Sequence, residues 1–146
     1  MTQVNFYTLA STELNARLLF VCRLTEKARE LGHQVFIQTA TPAEAKLLDD
    51  LLWQFKPASF IPHELVQTGK IVSRPGNCAV QISAQDAPAD FKDVLINLTG
   101  KSCDLHREYA RINEVIAADQ DSILAGRERY RNYRDAGATL ETFKIL

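Results

Sequence analysis

The densest chemistry in this sequence lies in Gly126-Arg127-Glu128-Arg129-Tyr130-Arg131-Asn132-Tyr133-Arg134, which holds four arginines, two tyrosines and no lysine. On a helix, Arg127, Arg131 and Arg134 stand at i, i+4 and i+7 and share one face, with Tyr130 beside it. Three like charges in one stripe repel, so the arrangement lowers helix stability unless an anion answers it. Guanidinium forks match planar carboxylates and phosphates, and a phenol ring beside them offers an apolar wall. The pattern therefore suits a small acidic partner that also carries an apolar group. It equally suits a solvated basic face on which Tyr130 keeps its hydroxyl in water.

Other constellations are weaker. Leu98-Thr99-Gly100-Lys101-Ser102 has the end of a phosphate loop, but the required glycine five positions before Gly100 is replaced by Leu95, so the segment reads as an ordinary exit from a strand. No G-x-G-x-x-G follows the first strand, where the turn is Leu9-Ala10-Ser11-Thr12-Glu13, and a dinucleotide would find no close backbone approach there. Cys103-x-x-His106 offers two metal ligands where a structural zinc site needs four, and Cys22, Cys78, His33 and His63 are scattered. No metal or other cofactor is expected. No Gly-x-Ser-x-Gly elbow exists. Of the carboxylate pairs, Asp49-Asp50 fits a helix flank and Asp119-x-Asp121 stands where a helix needs its N-cap. Trp53, Phe55, Phe60, Ile61 and Pro62 cluster at a helix end and its exit loop. Such residues fit an interface anchor and a core equally well.

The elements that must position these groups follow from length and periodicity. The chain has 146 residues, 46% of them hydrophobic and 24% charged, with a net charge of −1. One domain over residues 1–146 is expected, and the near-neutral balance speaks against a long nucleic-acid track or an anionic membrane surface. Three irregularly spaced cysteines do not make a disulfide framework. The opening MTQVNFYTLA lacks the basic flank and apolar run of a signal peptide, and no apolar stretch is long enough to span a bilayer. A soluble, cytoplasmic protein is expected. Val4–Leu9 reads as a strand, followed by a helix with Ser11 or Thr12 as its cap and Gly32 as its stop. A second strand at Val35–Ile37 precedes a helix opened by the capping box Thr41-Pro42-Ala43-Glu44. Residues 58–77 read as loop. Strands follow at Ala79–Ser83, Val94–Leu98 and Ile112–Ile116, with a short helix at 103–109. A last helix runs from about Asp121 to Ala136, closed by Gly137. The alternation of strands with amphipathic helices predicts an α/β fold, its sheet mostly parallel and covered on both faces.

Several of these segments together resemble the chi subunit of bacterial DNA polymerase III, an accessory protein of the clamp-loader assembly. They are Val4-Asn5-Phe6-Tyr7, Leu52-Trp53 with Ser59-Phe60-Ile61-Pro62-His63, Val94-Leu95-Ile96-Asn97-Leu98, and Gly126–Arg131 with Tyr133-Arg134. The resemblance runs over nearly the whole chain except residues 64–90. It implies a three-layer, Rossmann-like sheet without a nucleotide-binding glycine loop. It implies a non-catalytic adaptor that joins the psi subunit of the clamp loader and binds the acidic, phenylalanine-ending C-terminal tail of single-stranded DNA-binding protein, meeting DNA only indirectly. By position, Arg127, Tyr130, Arg131 and Arg134 would form the tail pocket and Ile116 would line it, while Trp53, Phe60 and Pro62 would face psi. At Arg131 the family also carries lysine, which keeps the charge and changes its geometry. Two other readings remain: a small nucleotide-binding enzyme using the α/β crevice, and a direct DNA binder acting through the arginine helix.

Overall fold

The computed structural model describes residues 2–55, 62–65, 79–85, 92–103 and 108–145. Seven strands form one sheet: β1 (Gln3–Leu9), β2 (Val35–Thr39), β3 (Glu64–Leu65), β4 (Val80–Ser83), β5 (Val94–Leu98), β6 (Arg111–Ile116) and β7 (Thr139–Ile145). Their order is β3-β4-β2-β5-β6-β1-β7, and every pairing among them is parallel. Three helices accompany them: α1 (Leu14–Glu30), α2 (Pro42–Phe55) and α3 (Gln120–Asp135).

The strand period of two sorts the core into two layers. Val35, Ile37, Val94, Ile96, Leu98 and Val115 pack against Leu18, Val21 and Cys22 of α1 and Leu48 and Leu52 of α2. The alternate residues Phe36, Leu95, Ile112 and Ile116, with Val4 and Phe6, pack against Tyr133 of α3. Helices thus cover both faces, as the strand–helix alternation predicts.

Local signals decide the element ends. Thr41 Oγ1 accepts from the Glu44 N–H at 3.2 Å and opens α2, but the Glu44 carboxylate turns to Arg17 Nη1 at 3.5 Å rather than closing a capping box. The N-cap of α1 is Glu13, which makes no side-chain cap bond, so neither Ser11 nor Thr12 holds that position. Ser11 instead accepts from the Glu13 N–H one step earlier. Gly137 takes φ +90° and sends its N–H to the Arg134 carbonyl, ending α3 as expected. Of the expected helix at 103–109, residues 104–107 lie outside the described residues.

Two strands were not expected. β3 is a two-residue strand within the segment read as loop. β7 is an edge strand whose residues are largely exposed. Its polar sequence, Thr-Leu-Glu-Thr-Phe-Lys-Ile, carries little core signal, and β7 is held chiefly by pairing with β1 along its whole length.

Candidate functional site

The site is built on α3, and what fixes α3 is a buried polar cluster. Within β6, Glu114 falls in the same row as Ile112 and Ile116 and is fully buried. Arg129 Nε donates to its Oε1 at 2.9 Å. Asn97 Nδ2 and the Tyr133 hydroxyl donate to its Oε2 at 2.7 Å and 2.8 Å. Three donors on two oxygens is the arrangement an ionised carboxylate satisfies. Burial pushes the Glu114 carboxyl upward, and the Arg129 charge is the main pull back down. Burial, then the neighbouring Glu114 charge, pushes the Tyr133 hydroxyl well above the usual phenol range, which keeps it a donor. The cluster reaches the 97–103 turn, where Arg129 Nη1 donates to the Gly100 carbonyl and the Cys103 N–H donates to the Tyr133 oxygen. The Leu98–Ser102 segment is therefore a strand exit bound from within, with Gly100 at φ +80°.

With Arg129 and Tyr133 turned inward, the outer face of α3 carries Arg127, Arg131 and Arg134, all exposed. Gly126 brings this helix close to β6: a Cβ there would stand 2.5 Å from Ile116 Cδ1. Asp119 is the N-cap of α3 and accepts from the Ser122 N–H at 3.0 Å, as its position in the sequence suggested. The Ser122 hydroxyl, then its N–H, holds the Asp119 carboxyl below the usual carboxylate range. A depressed folded-state pKa adds stability above the ordinary value, and that stability disappears as pH falls through the depressed one. Amide protection at residues 120–123, taken as the exchange rate relative to the intrinsic rate at each pH, should therefore fall in acid. An Asp119→Asn variant should show a flatter response, and an equally steep one would assign the effect elsewhere.

Between α3 and the carboxyl ends of β1, β6 and β7 opens a recess of about 520 Å³. Phe6, Leu9, Ile116, Ile123, Ile145 and the Tyr130 ring make it mainly apolar; Arg127 and Lys144 bring charge to its lining, and Thr8 and Thr142 bring hydroxyls. Phe6 and Tyr130 meet with ring centroids 5.3 Å apart. The carboxyl ends of parallel strands are where α/β sheets usually bind ligands.

Of the residues singled out in the sequence, Arg127, Tyr130 and Ile116 line this recess together. Arg131 and Arg134 are exposed on α3 but do not line it, and Arg134 Nε lies 3.4 Å from Asp135 Oδ1. Phe6, Thr142, Lys144 and Ile145 were missed. They are presented by the carboxyl halves of β1 and β7, and only the parallel pairing of those strands brings them to the helix. Glu114 and Arg129 were also missed, although a glutamate inside the apolar run Ile112–Ile116 is itself a signal that a buried cation must answer it.

The second patch is on the other side of the molecule. Trp53 on α2 is 59% exposed and meets the edge of the His63 ring at 5.4 Å. His63 Nε2 lies 3.1 Å from Asp49 Oδ1. Pro62 is exposed; Phe60 lies outside the described residues. Cys22 is buried and its thiol is pushed up to about 12 by desolvation, so it is an inert core group. Among the described residues no group of His, Cys, Asp or Glu is placed to hold a metal, and no helix is long and apolar enough to cross a membrane.

Comparison with known proteins adds to this geometry. A profile of the family described as "DNA polymerase III chi subunit, HolC" matches residues 1–141. The protein of Pseudomonas aeruginosa named DNA polymerase III subunit chi is 32% identical over 145 residues, covering 99% of this chain and 98% of its own. Its namesake in Escherichia coli is 28% identical and covers 97% of both chains. The one in Haemophilus influenzae is 30% identical over 125 residues, covering 85% of this chain and 84% of its own. In fold, the chain is similar to part of T4 UvsW in its crystal structure, with TM-score 0.66 at 10% identity over 99% of this chain; it spans 42% of that larger one.

Proposed function

The chain belongs to the DNA polymerase III chi subunit family, and from that premise we propose that it is a non-catalytic adaptor in DNA replication. In this reading it links the clamp loader, through psi, to DNA coated by single-stranded DNA-binding protein, whose acidic C-terminal tail enters the recess between α3 and β7. This places it in the cytoplasm with the replication machinery. One observation carries the reading: an apolar recess floored by Phe6, Ile116 and Tyr130 has Arg127 in its lining, and Arg127 has no ion-pair partner among the described residues. An uncommitted guanidinium beside an aromatic floor suits an acidic peptide ending in an aromatic residue. The exposed Trp53, beside Pro62 and His63, supports a second, more apolar contact for psi.

The crevice at the carboxyl ends of β2, β5 and β6, where a nucleotide would be sought, argues against the enzymatic alternative. Arg17 lies in it, directed at Glu44 and at the carbonyls of Leu98 and Val115. Glu44 and Asp121 on its lining would repel phosphates.

Calorimetric titration with an acidic peptide ending in phenylalanine tests the reading. Arg127→Ala should cost about 1.5–3 kcal/mol, roughly tenfold to a hundredfold in affinity. Arg131→Ala, which removes an exposed charge outside the recess lining, should cost at most about 1 kcal/mol, and that loss should shrink as salt rises. Wild-type affinity in the Arg127→Ala protein would remove the recess from consideration.

A further inference from the structure

We propose that Lys144, on the edge strand β7, is a second carboxylate-binding residue of the recess. With Arg127 it makes the site read a free peptide C-terminus rather than an internal acidic side chain. The inference rests on the peptide-receptor reading above and concerns how that receptor selects its ligand.

The argument is one of register. β1 and β7 run parallel with Phe6 opposite Thr142 and Thr8 opposite Lys144. Lys144 therefore stands two residues, roughly 6.6 Å, beyond the level of Phe6 toward the carboxyl ends of the strands. Phe6 touches the Tyr130 ring. Because α3 leaves the carboxyl end of β6 and returns to the amino end of β7, it must run against the strands. Arg127, three residues before Tyr130, is consequently about 4.5 Å nearer the carboxyl ends than that ring contact. The two cations thus stand at similar heights above one aromatic floor, Arg127 on the helix wall and Lys144 on the strand wall, and both line the recess. The Lys144 ammonium has no hydrogen bond or ion pair among the described residues.

A C-terminal aromatic residue fits both levels at once. Its ring reaches the Phe6–Tyr130 floor while the α-carboxylate of the same residue stays at the rim between the two cations. An internal aspartate or glutamate has no ring on its own residue, so it satisfies the rim and leaves the floor empty. An internal phenylalanine fills the floor and presents an amide to the rim. Two cations facing one carboxylate from opposite sides also fix its position better than one does.

The test uses the full-length chain and one acidic nonapeptide ending in phenylalanine, made as the free acid and as the C-terminal amide. By calorimetric titration the wild type should prefer the free acid by about tenfold to a hundredfold. In Lys144→Met the free acid should weaken by about tenfold while the amide barely changes, so the preference contracts; Lys144→Arg should restore it. Lys144 is exposed, so the melting temperature should not move. A Lys144→Met protein that keeps the wild-type acid-to-amide ratio, or loses both peptides equally, overturns the inference while the receptor reading stands. A wild-type protein that binds neither peptide overturns the receptor reading, and the role of Lys144 falls with it.

Discussion

Glu114→Ala is expected to cost about 3–5 kcal/mol of folding stability, the penalty for leaving a buried charge without its partner. The residue is fully buried, and Arg129, only 6% exposed, has Glu114 as its carboxylate partner. Removing the carboxylate strands the guanidinium, takes the Glu114 acceptor from the Tyr133 hydroxyl, and leaves Asn97 Nδ2 with the Lys101 carbonyl alone. For a domain of this size the loss corresponds to a fall in melting temperature of roughly 10 °C or more. Removing both charges, as in Glu114→Leu with Arg129→Met, should recover much of it, because no ion is then buried unpaired. Recovery should be incomplete, since the bonds that Tyr133 and Asn97 make to Glu114 are still lost. Thermal melts of the single and double variants decide the matter: a Glu114→Ala protein melting within about 2 °C of wild type would show that the cluster does not hold α3.

That cluster also marks how far the sequence can be read. The continuous apolar runs Val35-Phe36-Ile37 and Val94-Leu95-Ile96 were enough to place buried strands, because strands covered on both faces are apolar at nearly every step. Asp119 was legible as a cap because capping is a local event. That Arg127 and Tyr130 stand together was legible because their spacing puts them on one helix, and both line the recess. Arg129 was not sorted from its neighbours: four arginines within eight residues look alike until Glu114, on another element, claims one of them. β7 was missed for a related reason. An edge strand is defined by backbone pairing with β1, and its exposed side chains need no hydrophobic pattern. The strand wall of the recess, Thr142, Lys144 and Ile145, was therefore invisible although the helix wall was plain. Of the aromatic patch at the end of α2, Trp53 is exposed and Phe60 falls outside the described residues.

Gly126→Val is expected to damage both stability and peptide binding. The backbone conformation at Gly126 is helical, so glycine is not needed there for its freedom, and a side chain would by itself favour the helix slightly. Space decides otherwise. A Cβ at this position would meet Ile116 Cδ1 at 2.5 Å and Cγ1 at 3.3 Å, and valine adds two methyl groups beyond it. Either α3 lifts off β6 or Ile116 turns aside, and overpacking of this kind costs about 1–3 kcal/mol. Gly126 and Ile116 both line the recess, so either response moves its floor against the strand wall and narrows the space that the ligand's ring requires. Affinity for the acidic, phenylalanine-ended peptide should drop by a hundredfold or so, on the order of one well-buried aromatic side chain. The clash is specific, so Ile116→Ala should relieve it. The double variant should melt higher than the sum of the two single losses allows, with a coupling of about 0.5–3 kcal/mol. Strict additivity between positions 126 and 116 would mean that the close approach of α3 to β6 is not what glycine serves at this point of the helix.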